Sequence, residues 1–435
     1  MKNVEGSSPE IATVSVSGIS QHQKWFIWGV AALFYLYETF LRVSPSVMAN
    51  DLMRDFGVNS TALGVLSSCY YYAYVILQIP CGIIVDKLGI RIIVTCSALL
   101  CVIGTLLFAS SESILLAQLG RFLIGAGSAC AFISCLKVTV EWFNPMQFAL
   151  VAGLTNMMGT LGGVCAGQPL AVFVNQLGWR DASFKLALIG VGVALIAWFF
   201  LKNHPNHAHT ANQRSHSLKE GCAYLVRNKQ VWLAGFVGGL MYLPISAFAE
   251  LWGVPFLMHA YGVNNEIASS ASVMIFIGTA VGSPFAAFLV NRFRSIMFVM
   301  RYSALASGLI FIMIAYTAIF PLYIAYIMMF LAGFFIGGQV LCFTIAQNNS
   351  SADISGATIG FTNALVMMSG VLFQPFLGSI LDFFWDGSLS EAGVHLYSAH
   401  AYQMSILTIP VSLLVSFVVL AFIKETYQTK EKAIL

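Results

Sequence analysis

The chain has 435 residues, 58% hydrophobic and only 9% charged, where soluble domains carry about 25% charged residues. That composition and a mean hydropathy of +0.82 exclude a soluble globular protein. The formal net charge of +3 says little by itself, and no basic-aromatic patch accompanies it, so a nucleic-acid partner is not expected.

The apolar runs suit membrane helices of roughly 20 residues rather than barrel strands of about 10. Residues 1–24 are polar and lack the short apolar core of a signal peptide, so they are expected to be a loose tail. Twelve helices are predicted at 25–47, 60–85, 91–110, 113–137, 147–176, 182–201, 231–258, 268–290, 296–316, 321–346, 356–383 and 400–423. On this map Lys87, Arg91, Lys202, Arg214, Lys219, Arg227, Lys229, Arg292, Arg294, Arg301, Lys424, Lys430 and Lys432 fall on one side. The other side has only Arg54, Arg180 and Lys185. Cations gather on the cytoplasmic face, so both termini and the 202–230 linker are expected there, in the inner membrane.

The first helix contains "YLYETFLRVSP", residues 35–45. A charge at mid-bilayer depth costs roughly 2.5–3.5 kcal/mol, yet Glu38 and Arg42 both lie here. Tyr35, Glu38, Thr39, Arg42 and Ser46 fall within a sector of about 100°, a single polar stripe. Glu38 and Arg42 either neutralise each other as an i,i+4 pair or face a central cavity, where an ionisable side chain is a functional candidate. In the second helix Tyr70, Tyr74 and Gln78 share one face, as lining or as aromatic packing. The fourth helix has a lone Arg121, which needs a partner or a polar cavity; anchoring neighbouring carbonyls is the structural alternative. Glycines of "GTLGGVCAGQP" in the fifth helix suit close packing.

The main polar break is "KNHPNHAHTANQRSHSLKE", 202–220, read as a solvated linker, with a histidine metal tract as the alternative. An internal repeat supports a division there: "GLTNMMGTLGG" at 153–163 matches "GFTNALVMMSG" at 360–370, with Asn156 and Asn363 207 positions apart. Gln-Pro follows each copy, one residue out of step. The nine cysteines form no C-x-x-C pair, so no disulfide or zinc site is expected. Phosphate-loop, dinucleotide, metalloprotease and nucleophile-elbow motifs are lacking. No enzymatic activity and no cofactor are expected.

"GIIVDKLGIR", 82–91, resembles the signature of the major facilitator superfamily between helices 2 and 3, with Gly82, Asp86, Lys87, Gly89 and Arg91 in place. "GRFLIGAGSA", 120–129, resembles its helix 4 motif through Arg121 and Gly125. The resemblance covers roughly residues 25–425. It implies an all-α integral membrane fold of twelve helices in two pseudo-symmetric six-helix bundles, 25–201 and 231–423, with tails 1–24 and 424–435. It also implies a cytoplasmic latch between halves at Asp86, received near Gly356, and close helix packing at Gly82. "LRVSPSVM" followed by "YYYAYVILQIPCGIIVDKLG" resembles phagosomal nutrient permeases of intracellular bacteria and the branch of lysosomal dipeptide carriers.

Anion-transporting members of the superfamily have a Tyr and an Arg seven residues apart in helix 1, as Tyr35 and Arg42 are here. Where those members can have a second Arg in helix 7, this chain has Ala249 and Glu250. That departure favours a zwitterion, with its carboxylate at Arg42 and its ammonium at Glu250 or Glu38. A helix-end residue facing water is the alternative for Glu250. The expected lining is Tyr35, Glu38, Arg42, Tyr70, Tyr74, Lys137, Asn156, Glu250, Gln339 and Asn363, with Glu38 and Glu250 as proton-coupling candidates. The reading is a monomeric transporter of an amino acid, dipeptide or organic acid, driven inward by the proton gradient. A siderophore or drug exporter is the alternative, and a non-transporting membrane sensor the reading from another class.

Overall fold

The computed structural model describes residues 21–144, 147–203, 224–316, 319–351, 354–390, 393 and 395–424. The four histidines of the central break and Cys222 lie outside the described residues.

Among the described residues, twelve helices are long and apolar enough to cross a membrane. In chain order, α1 is Gln21–Val43 continued by Pro45–Phe56, α2 is Ser60–Leu88, α3 Ile90–Ala109, and α4 Ile114–Ser128 continued by Ala131–Trp142. Next, α5 is Phe148–Cys165 continued by Gln168–Leu177, and α6 is Trp179–Phe200. The second half opens with α7, which is Lys229–Leu243, a π-helical stretch Pro244–Trp252, and Gly253–Tyr261. Then α8 is Asn265–Ser272 and Met274–Phe293, and α9 is Ile296–Ala315. The crossing α10 is Leu322–Ile336, a tight 3-10 turn Gly337–Val340, and Leu341–Asn348. Finally, α11 is Ser355–Phe383 and α12 is Ala399–Ile406 and Thr408–Val419.

Helix starts follow local chemistry. The side chains of Asn59, Ser113, Asn228, Asn264, Ser295 and Ser398 each accept a hydrogen bond from a backbone N–H of the turn they precede. Such caps satisfy donors that have no partner within the helix.

The predicted map is corrected most at the first and fifth helices; α4, α7, α8, α10 and α12, predicted as single runs, are interrupted too, and α4 ends at Trp142 rather than 137. The first helix does not stop near 47 but continues to Phe56 past a break at Ser44–Pro45. The fifth is two pieces, because Gly167 precedes Gln168-Pro169, and the pair opens a new helix. In the other copy Pro375 sits inside α11.

The repeat itself is structural. Phe148 and Ser355, which open α5 and α11, stand 207 positions apart, the spacing of Asn156 and Asn363. Thr155 and Thr362 are both fully buried. Their hydroxyls donate to the carbonyls four residues back, at 2.9 and 2.7 Å.

The halves are pressed together at one end. A Cβ on Gly64 would meet Gln374 O at 2.5 Å, and one on Gly378 would meet Ser60 O at 2.4 Å. On the other flank, Gly163 and Gly167 face Phe276 and Val273. Small residues let backbones approach this closely in membranes. Toward the end that carries both termini, Gly82, Gly153, Gly356 and Gly360 have nothing within 4 Å of an added Cβ. The close packing expected at Gly82 is therefore not seen among the described residues.

Candidate substrate and coupling site

The charged stripe of α1 lies at the interface between halves. Glu38 is fully buried and Arg42 nearly so. Among the described residues they make no direct i,i+4 ion pair, one of the two alternatives read from the sequence. Glu38 Oε2 accepts the Tyr70 hydroxyl at 2.6 Å, and Oε1 accepts the Thr39 hydroxyl at 3.1 Å. Arg42 reaches the opposite half instead, with Nε 3.3 Å from Glu250 Oε1. Nε forms no hydrogen bond among the described residues, so the contact is ionic and leaves one N–H direction available. Glu250 is fully buried, which rules out a water-facing helix end. Its other partners are the Tyr71 hydroxyl from the first half and the Tyr242 hydroxyl at 3.5 Å from its own helix.

Adjacent tyrosines thus serve different halves. Tyr70 holds Glu38 within its own bundle, while Tyr71 reaches across to Glu250. Tyr74 stacks on Tyr70, with ring centroids 5.7 Å apart. Tyr35 packs against Phe132 at 5.5 Å. Removing one member of a buried ion pair is costly because the survivor is left uncompensated. These hydroxyls supply the hydrogen bonds that make burial of two carboxylates tolerable.

Arg121 has the anchoring role. Pro45 has no N–H to donate to Leu41 O, so helix 1 opens there. Arg121 Nη1 donates to Leu41 O at 2.8 Å and Nη2 to Arg42 O at 3.2 Å. Its guanidinium also lies 5.3 Å from the Tyr70 ring centroid. Arg121 therefore fixes the backbone from which Arg42 projects. Gly125 permits the same approach, since a Cβ there would meet Tyr70 O at 2.0 Å. On the other side of the site, Pro244 opens the π-helical stretch that contains Glu250. Such widened turns occur often at functional sites.

The family profile described as Major Facilitator Superfamily matches residues 27–386. The chain belongs to the Major Facilitator Superfamily. Among relatives, the uncharacterized transporter YybO of Bacillus subtilis (strain 168) is 26% identical over 62% of this chain and 66% of its own length, a little under two thirds. The probable galactarate/D-glucarate transporter GudP of the same organism is 22% identical over 86% of this chain and 89% of its own length. A bacterial homologue of the human lysosomal transporter Spinster, in an inward-facing and occupied conformation, has the same fold. Its TM-score is 0.74 at 17% identity, over 93% of this chain and 97% of that one. This chain is accordingly a multi-pass membrane protein of that superfamily, with twelve candidate spans among the described residues.

Other superfamily motif residues fall away from the central cluster. In the 82–91 signature, Gly89 makes the turn with φ +79°. Arg91 Nε donates to Trp198 O at 2.8 Å, and its guanidinium lies over the Trp198 ring at 4.5 Å. Arg91 thus ties the turn to α6 of its own half rather than across the interface. Lys87 is exposed, and the Asp86 side chain lies outside what the structure describes. Lys137 does not join the cluster; its ammonium pairs with Glu141 at 3.1 Å, one turn along. Asn156 is exposed. Gln339 donates to Cys342 Sγ at 3.6 Å. Asn363 does cross the interface, donating to Gln78 Oε1 at 3.3 Å. Two residues escaped the sequence reading. Tyr71 lies one position off the Tyr70 face, and Tyr242 had only its spacing of eight from Glu250 to mark it.

Proposed function

We propose that this protein takes up a small carboxylate-bearing organic acid together with a proton, by alternating access. The observation that carries the reading is the buried ion contact of Arg42 with Glu250 across the two halves. A substrate carboxylate and the Glu250 carboxylate compete for one guanidinium. A substrate that takes Arg42 through its bidentate fork leaves Glu250 buried without its counter-charge, and burial then favours the protonated acid. Loss of the substrate at the inner end lets Glu250 release that proton and return to Arg42. One proton and one monocarboxylate would then cross together without net charge.

The zwitterion expected from sequence loses ground on this geometry. Once its carboxylate took Arg42, its ammonium would pair with the freed Glu250 in place of the proton, while both Glu38 oxygens already hold hydroxyls, so the site would move a zwitterion without the proton. The similarity to GudP, a probable galactarate/D-glucarate transporter, also supports an organic acid over an amino acid or dipeptide. The excess of Lys and Arg on one side supports an inner-membrane orientation with both termini cytoplasmic. The end at which Gly82, Gly153, Gly356 and Gly360 stand clear would then face the cytoplasm.

The test is uptake into liposomes containing purified protein, from a panel of sugar acids, simple carboxylates, amino acids and dipeptides, with and without an acidic exterior. Organic-acid uptake should rise with the gradient, and Glu250→Gln should abolish that response. Uptake indifferent to the gradient would refute proton coupling. A preference for amino acids would refute the substrate class. In a deletion strain, an efflux rather than an uptake phenotype would favour the exporter reading.

A further inference from the structure

The outer end of the closed interface has a lock of its own. Asp382, in the last turn of α11, crosses into the first turn of α2. Its Oδ1 accepts Ser60 N–H at 3.2 Å; its Oδ2 accepts Thr61 N–H at 2.8 Å and the Thr61 hydroxyl at 2.5 Å. The Tyr397 hydroxyl donates to Asp382 Oδ1 at 2.5 Å and accepts Ser60 N–H at 3.0 Å. Burial, then the neighbouring Asp382 carboxylate, push the Tyr397 phenol up from its ordinary pKa. It therefore stays a donor. The next N–H, that of Ala62, goes to the helix's own cap, Asn59 Oδ1, at 3.0 Å. A helix N-terminus has unpaired donors and partial positive charge, which a carboxylate satisfies together. Here two of those donors are satisfied from the opposite half.

The pseudo-symmetric place is built differently. The position 207 before Asp382 is Asn175, and the matching helix start is that of α8. There Asn175 Nδ2 donates to Glu266 Oε1 at 3.1 Å in an exposed contact, and Asn265 Nδ2 donates to Val47 O at 2.7 Å. The N-terminus of α8 is capped by its own Asn264. One flank of the outer end is thus held by a carboxylate seated on a foreign helix start. The other is held by two side-chain amides, one donating to an exposed carboxylate and one to a backbone carbonyl, with no carboxylate seated on a foreign helix start.

We infer that Asp382 is the lock of the outer gate, holding α2 to α11 while the opposite end is open, and that the α5–α8 flank is the weaker closure. For Asp382 to let go, the Ser60 and Thr61 N–H groups and the carboxylate must all be rehydrated together. The α2–α11 pair would then have a carboxylate near each end, since α2 has Asp86 near its inner terminus. This assignment rests on alternating access alone and is independent of substrate and proton coupling.

The test uses the full chain with Val47→Cys as reporter. Val47 is buried at the outer end and would be uncovered when that end opens. Labelling by a membrane-impermeant maleimide is followed in intact cells, with the parent chain giving the background of the native cysteines. Asp382→Ala should speed reporter labelling about tenfold, the factor that ~1.4 kcal/mol makes in an equilibrium. Asn175→Ala should change it far less. If Asp382→Ala is not recovered folded, Thr61→Val with Tyr397→Phe removes two hydroxyl donors and keeps the carboxylate; it should give an intermediate rise. Parental labelling in the folded Asp382→Ala chain overturns the assignment, as does parental labelling in the Thr61→Val/Tyr397→Phe chain where that variant must stand in. An Asn175→Ala effect as large as that of Asp382→Ala overturns the asymmetry.

Discussion

Arg42 has two acidic candidates for its counter-charge, and a rescue experiment separates them. Arg42→Gln removes a nearly buried guanidinium 3.3 Å from Glu250 Oε1. Unit charges at that distance attract by about 5 kcal/mol at an effective dielectric of 20, and losing one member of a buried pair costs roughly 3–5 kcal/mol. Arg42→Gln alone should therefore destabilise the protein by about 3–5 kcal/mol. Adding Glu250→Gln removes the orphaned charge and should restore stability to within about 1 kcal/mol of the parent, since uncharged replacements of buried pairs are often neutral. Adding Glu38→Gln should give no such rescue, because Glu38 is held by Tyr70 and Thr39. The assay is equilibrium unfolding in mixed micelles across the full double-mutant cycle. Rescue by Glu38→Gln and not by Glu250→Gln would refute the cross-half pairing and restore the local i,i+4 pair.

Three further outcomes are expected. Arg121→Gln should cost about 1–3 kcal/mol by taking a donor from the Arg42 carbonyl and leaving Leu41 O with the Ser44 hydroxyl at 2.9 Å, and Pro45→Ala should relieve part of that loss by restoring an N–H; the same unfolding assay measures both. Gly64→Ala should slow transport and expose the outer end to labelling, because its Cβ would meet Gln374 O at 2.5 Å, whereas Gly82→Ala, with nothing within 4 Å, should leave the conformation seen here undisturbed. Tyr71→Phe should alter the pH dependence of uptake by removing a donor to Glu250, while Tyr70→Phe should act mainly on stability through Glu38; equal pH profiles for the two would remove the distinction.

The helical membrane fold was legible because each apolar run matches a bilayer crossing, and the repeat around Asn156 and Asn363 showed the duplicated design. The polar stripe on α1 was visible from helical periodicity alone. What periodicity could not give was the partner of Arg42. An i,i+4 acid was near in sequence, while Glu250 is near only after two halves dock. Tyr71 was missed for the same reason: in-helix spacing marks one face, and α2 uses two, one for its own half and one for the other. Pro45 was in plain view, but its consequence depended on where Arg121 would lie in space. Lys137 read as a lining residue because it is polar and lies in a helix that flanks the pore in the superfamily, whereas in the fold its ammonium pairs with Glu141 one turn on.

The helices α1, α4, α7 and α10 open their respective groups of three, and all four are interrupted. The interruptions are Ser44–Pro45, the gap between Ser128 and Ala131, the π-helical stretch Pro244–Trp252, and the tight turn Gly337–Val340. An unbroken helix transmits a tilt at one end to the other like a rod. A helix with a changed pitch part-way along has an elbow, since the bonds there are already irregular and bend at small cost. The outer segments of these four helices can therefore swing while their inner segments stay docked, so that access on one face need not wait for the whole bundle to roll. Loss of a single residue within Pro244–Trp252 would straighten one elbow and turn everything beyond it by about 100°, carrying Gly253–Tyr261 off its present neighbours.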